Sequence, residues 1–146
     1  MAAAEATGSR GFEPWQLGLL AEALAIAGKI DEGIAAIDEA LAKSAASGQK
    51  GNDAELHRLR GELVRQLPGP DPAQAEFSFR AALTIAQEQG TRGYELRAAV
   101  SLSRLLADQG RRDEARDLLT PIYAWFSEGF DTPDLLDAKA LLAELR

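Results

Sequence analysis

The sequence predicts an all-α protein of three stacked helical hairpins followed by a closing helix. Three observations carry this reading. Apolar residues recur three and four positions apart in seven separate stretches, the spacing of one helix face. No stretch alternates apolar and polar residues over a useful length, so no strands are predicted. The phrase GKIDEGIAAIDEAL, Gly28 to Leu41, returns as GRRDEARDLLTPIY, Gly110 to Tyr123, which marks an internal repeat.

The elements follow in order. Residues 1–11 are rich in Ala and Gly and read as a loose lead-in, and 12–146 as the helical domain. They lack the apolar run of a signal peptide. Leu17, Leu20, Leu24 and Ala27 form the first stripe. Gly28 ends that helix, and Asp31 is the expected cap of the next. Ile34, Ile37 and Leu41 form the second stripe, closed by the polar, Gly-containing SGQKGND. Leu56, Leu59, Leu63 and Leu67 form the third, stopped by PGPDP, where proline removes an amide hydrogen and restricts its predecessor. Asp71-Pro72 is a good helix start. Ala75, Phe79, Ala82, Leu83 and Ala86 carry the fourth stripe up to Gly90. The fifth holds Leu96, Val100 and Ser103 to Leu106, and the sixth Ala115, Leu118, Leu119, Ile122 and Phe126. After the turn EGFDTPD, Leu135, Ala138, Leu141, Leu142 and Leu145 form the seventh. The repeats then span about 13–48, 53–90 and 92–128, with a capping helix at 133–145.

Ala40-Leu41 recurs 42 positions on as Ala82-Leu83, and Ile122-Tyr123 follows 40 later. Each second helix opens with a small residue (Gly33, Ala75, Ala115), then a larger apolar one four positions on (Ile37, Phe79, Leu119). Paired helices need this where their axes approach closely. The pattern resembles the tetratricopeptide repeat, with its A-x3-F second helix at Ala75 and Phe79, and a small first-helix position at Ala21, Gly61 and Ser103. That resemblance implies a right-handed αα-hairpin solenoid. The period of about 40 exceeds the usual 34 or so and is shared by HEAT-like hairpins. The wording AELHRLRGEL, FRAALTIAQEQG and ELRAAVSLSRLLADQGRRDEARDLLTPIYAWFSEGFDTPDL is similar to the carboxy-terminal repeats of large bacterial signalling proteins. In those, a class III nucleotide cyclase or a DNA-binding regulator domain precedes a P-loop ATPase domain and then the repeats. The resemblance runs from about Phe12 to the end. It implies a regulatory or protein-interaction module, cytoplasmic, with the ATPase or cyclase domains of one polypeptide among its partners.

The bulk numbers bound the function. A net charge of -7 argues against nucleic acid as the main partner, since phosphate binding needs a basic surface. No apolar run approaches the roughly 20 residues of a membrane span. There is no cysteine, so no disulfide and no thiolate chemistry. One histidine, His57, and no cysteine give no tight zinc site, and no cofactor is expected. No G-x-x-x-x-G-K-[ST] loop or G-x-S-x-G elbow occurs. Asp31-Glu32 and Asp113-Glu114 point about 100° apart on a helix, so they form no acid dyad. They suit the positive ends of helices instead. The chain reads as no enzyme.

The remaining constellation is cationic. Stacked hairpins present their first helices to a concave face. Arg58, Glu62 and Arg65 share one face of the third helix, and Arg97, Arg104 and Asp108 one face of the fifth. With Trp15 and Glu22 on the first helix, these eight residues form the candidate partner groove. Four arginines there predict an acidic protein or peptide segment as partner. The bland alternative is a solvated face laced with pairs such as Arg58–Glu62. A small-molecule sensor acting on an attached ATPase or cyclase is the competing function, and a second copy of the chain is a further possible partner. Trp15, Trp125 and Phe130 read as packing or capping contacts ahead of ligand-stacking groups.

Overall fold

The computed structural model describes residues 12–69 and 71–146; the expected lead-in, 1–11, lies outside them. The described residues hold seven α-helices and no strand. They are α1 (Pro14–Ile26), α2 (Ile30–Ser47), α3 (Asp53–Arg65), α4 (Pro72–Gln89), α5 (Arg92–Asp108), α6 (Arg112–Ala124) and α7 (Pro133–Glu144).

Each helix packs on the next, most extensively α1 on α2 and α3 on α4. The odd helices also meet one another, α1 with α3, α3 with α5 and α5 with α7. Every odd helix thus lies beside another odd one, and this brings their polar faces to one surface.

The repeated phrase is a repeated turn. Gly28 and Gly110 have φ of 81° and 78°, a region glycine enters without steric cost. Gly28 N–H donates to Ala25 O (3.0 Å) and Lys29 N–H to Leu24 O (2.8 Å). Gly110 and Arg111 repeat this with Ala107 O (3.0 Å) and Leu106 O (2.8 Å). This double closure satisfies the last carbonyls of the first helix. The turn is so tight that Lys29 and Arg111 are already the N-caps of α2 and α6. The expected cap, Asp31, therefore stands two residues too far along, inside the first turn of α2. It contributes through the dipole rather than as a capping acceptor. Asp71 does cap α4, accepting from Ala73 N (3.1 Å) and Gln74 N (3.2 Å).

The hairpins close on small residues. Ala21, Ala75 and Ala115 are fully buried, as are Ile37, Phe79 and Leu119 one turn on from their small partners. A Cβ on Gly33 would meet Ala21 O at 3.0 Å, and Ser103 Oγ donates to Ala115 O at 3.2 Å. Gly61 is tightest: a Cβ there would stand 2.5 Å from the Phe79 ring. One apolar cluster joins α1 and α2 to Leu56 and Leu63 of α3. A larger one runs from Val64 of α3 through α4, α5 and α6 to Leu135, Ala138, Leu141 and Leu145 at the chain end. The terminal helix covers the last hairpin through those four residues.

Candidate functional site

The odd helices are joined by a groove of about 360 Å³. It is lined by Glu22 of α1, Glu55 and Arg58 of α3, Val100, Ser101, Arg97 and Arg104 of α5, and Asp134 and Asp137 of α7. An adjoining cleft of about 330 Å³ lies between α1 and α3. Its walls are Ala21, Ala25, Ile26, Leu59 and Leu63, reaching Ile37, with Glu22, Arg58, Glu62 and Gln66 at its rim.

Of the eight residues read from sequence, Glu22, Arg58, Arg97 and Arg104 meet in the groove. Glu62 joins Glu22 and Arg58 at the adjoining cleft. Arg65 and Asp108 stand apart, ion-paired to each other across α3 and α5. Trp15 lines neither cavity and is half exposed at the start of α1.

The arginines are mostly committed within the chain. Arg58 Nε donates to Glu55 Oε1 (2.9 Å), and its Nη1 reaches Ser101 Oγ (3.4 Å). Arg97 Nε donates to Asp134 Oδ2 (2.9 Å) and its Nη1 to Glu55 Oε1 (3.4 Å). The Asp134 hydrogen bond pushes the Arg97 pKa further up, against the opposing effect of burial. Glu55 is thus clamped by two arginines through one oxygen. Its Oε2 is buried without a partner among the described residues. The Arg58–Glu62 pair expected from helical spacing does not form, because Glu55, one turn the other way, holds the guanidinium. Among the described residues, Arg104, Glu22, Glu62 and Asp137 make no side-chain hydrogen bond or ion pair.

The charge balance reverses the sequence expectation. The groove counts three arginines against four carboxylates, Glu22, Glu55, Asp134 and Asp137. Glu55, Asp134, Asp137 and Ser101 were missed by the sequence reading. Glu55 lies seven residues before Glu62 and three before Arg58, so extending that face by a turn finds it. The two aspartates had no such signal, because α7 reads as a cap alone.

The other groups that the sequence singles out line neither cavity. His57 is half-buried, and desolvation lowers its pKa, with Asp53, Arg60 and Asp38 as weaker influences. The Arg92 guanidinium lies 4.6 Å over the Trp125 ring, a cation–π contact. Phe130 tilts against Tyr123 at 6.0 Å between centroids. Glu114 belongs to a four-residue network away from the groove, with Arg80 (3.0 Å), Arg111 (2.8 Å) and Glu76. Burial opposes ionisation of Glu76, but hydrogen bonds from Arg80 and Arg111 outweigh it and hold the carboxyl below its usual range. No described helix is long and apolar enough to cross a membrane. No group of three or more His, Asp or Glu among the described residues is placed to hold a metal ion.

Comparison with known protein families, with characterised proteins and with solved structures gives no match.

Proposed function

We propose that this chain is a non-catalytic regulatory module that holds a partner protein on the face formed by its odd helices. The helix order, the small-residue crossings and the recurring turn support a right-handed solenoid of tetratricopeptide type. In such a stack the odd helices form the concave side. The observation that carries the function is the groove itself. A single depression is reached by α1, α3, α5 and α7, and four of the charged side chains at this groove and its adjoining cleft are unpaired within the described chain. Packing does not require charged side chains there, whereas a partner can use them for register and specificity. The resemblance to repeats of signalling proteins supports a partner bearing cyclase or P-loop ATPase domains, in the same polypeptide or beside it.

Position-specific photo-crosslinking tests this in cells of the native host. A photoreactive amino acid replaces Leu59, at the cleft, or Phe77, which is 74% exposed on α4. A cyclase- or ATPase-containing protein captured from Leu59 and not from Phe77 is the expected result. Equal capture at both positions, or none at Leu59, would refute the assignment of this face.

A further inference from the structure

The groove's unpaired groups specify the chemistry of its occupant. We infer that the concave face recognises a protein segment carrying a lysine or arginine beside a large apolar side chain. The apolar group enters the cleft between α1 and α3, and the cation sits between Glu22 and Glu62. This rests on the reading of that face as a partner surface.

Three observations lead there. First, the cleft is apolar at its walls and open at its mouth, where Ile26 is 89% exposed. Its volume of about 330 Å³ is at the lower end of the roughly 300–1,000 Å³ typical of binding pockets. An apolar side chain gains there by leaving water. Second, the carboxylates at its rim, Glu22 and Glu62, have no cation of their own among the described residues, while Arg58 of the same cleft is held by Glu55. Third, the one arginine of the groove that is unpaired among the described residues, Arg104, shares it with Asp137 and Glu22. An anion approaching Arg104 meets those carboxylates, whereas a cation approaching Glu22 and Glu62 meets a guanidinium already neutralised. The net charge of -7 acts in the same direction at longer range.

The experiment uses the full chain and a phage-displayed library of random 12-residue peptides, selected at low salt. Enriched peptides are synthesised with a fluorophore, and Kd is measured by anisotropy. The proteins are the wild type, the double variant Glu22→Lys/Glu62→Lys, and Arg104→Glu, each checked for helix content. The expected peptides pair Lys or Arg with Leu, Phe or Trp. Their affinity falls at least about tenfold in the Glu22→Lys/Glu62→Lys protein, where like charges oppose each other. It does not fall in Arg104→Glu, which adds a carboxylate to the same face, and it weakens as salt rises. Should the lysine variant fail to fold, Glu22→Gln/Glu62→Gln gives a smaller loss in the same direction. Acidic peptides that depend on Arg104 would overturn the cationic specificity and leave the partner surface standing. Peptides that bind all three proteins equally, or no enrichment at all, would remove both the specificity and the surface.

Discussion

Gly61 shows how much a single atom decides. A methyl group there falls 2.5 Å from the ring of Phe79, which is fully buried and has nowhere to swing. Gly61→Ala should therefore destabilise the chain by about 1–3 kcal/mol, the usual cost of overpacking. Phe79→Leu in that background should return part of the loss, because the two sites share one space. Gly93, at the start of α5, has nothing within 4 Å of its would-be Cβ. Gly93→Ala should then stabilise by up to about 1 kcal/mol through helix propensity. Urea midpoints of the four proteins check this, and an unshifted midpoint for Gly61→Ala would mean that the ring yields.

At the scale of elements, the helix starts differ in kind. Asp71 caps α4 with two side-chain hydrogen bonds, whereas Thr132 stands before α7 without one. Asp71→Ala should cost about 1 kcal/mol, and Thr132→Ala only a few tenths, since it breaks no capping bond. Thermal melts of the two variants separate these outcomes, and equal losses would deny the difference. The same distinction explains why Asp31 and Asp113 are not caps. The glycine turn leaves three residues between helices, the last of them already the N-cap, so the aspartate that looks like a cap by sequence falls within the first turn. A hairpin closed in this way has little freedom in how its helices cross, which helps to place the odd helices side by side.

Across the whole molecule, stability is unevenly spread. α5 packs against α3, α4, α6 and α7, and ten of its residues are buried. Among the described residues α1 packs chiefly on α2 and α3 and exposes Trp15, Leu19 and Ile26. Local opening follows such differences in packing. Native-state hydrogen exchange should therefore be slowest in α5 and progressively faster toward α1. Protection that is uniform from α1 to α5 would show that the two apolar clusters open as one. The groove spans this gradient, so its α1 edge is the part most free to adjust to a partner.

Helix number, order and turns were legible from the chain, because apolar spacing and glycine or proline punctuation are local signals. The small-then-large pattern at Ala75 and Phe79 likewise identified which helices pair, since close approach is possible only where a side chain is short. The all-helical outcome was thus written in periodicity. The ion pairing was not. Arg58 has a carboxylate at spacing three and another at spacing four, and only the folded chain, which brings Arg97 to the same oxygen, selects Glu55. Asp134 and Asp137 join the groove because α7 packs on α5, a contact between residues more than thirty positions apart. Sequence spacing places charges on a helix face, but the sign of a surface shared by four helices depends on which charges neutralise one another across them. That is why an apparently cationic groove became, once folded, one with more carboxylates than arginines.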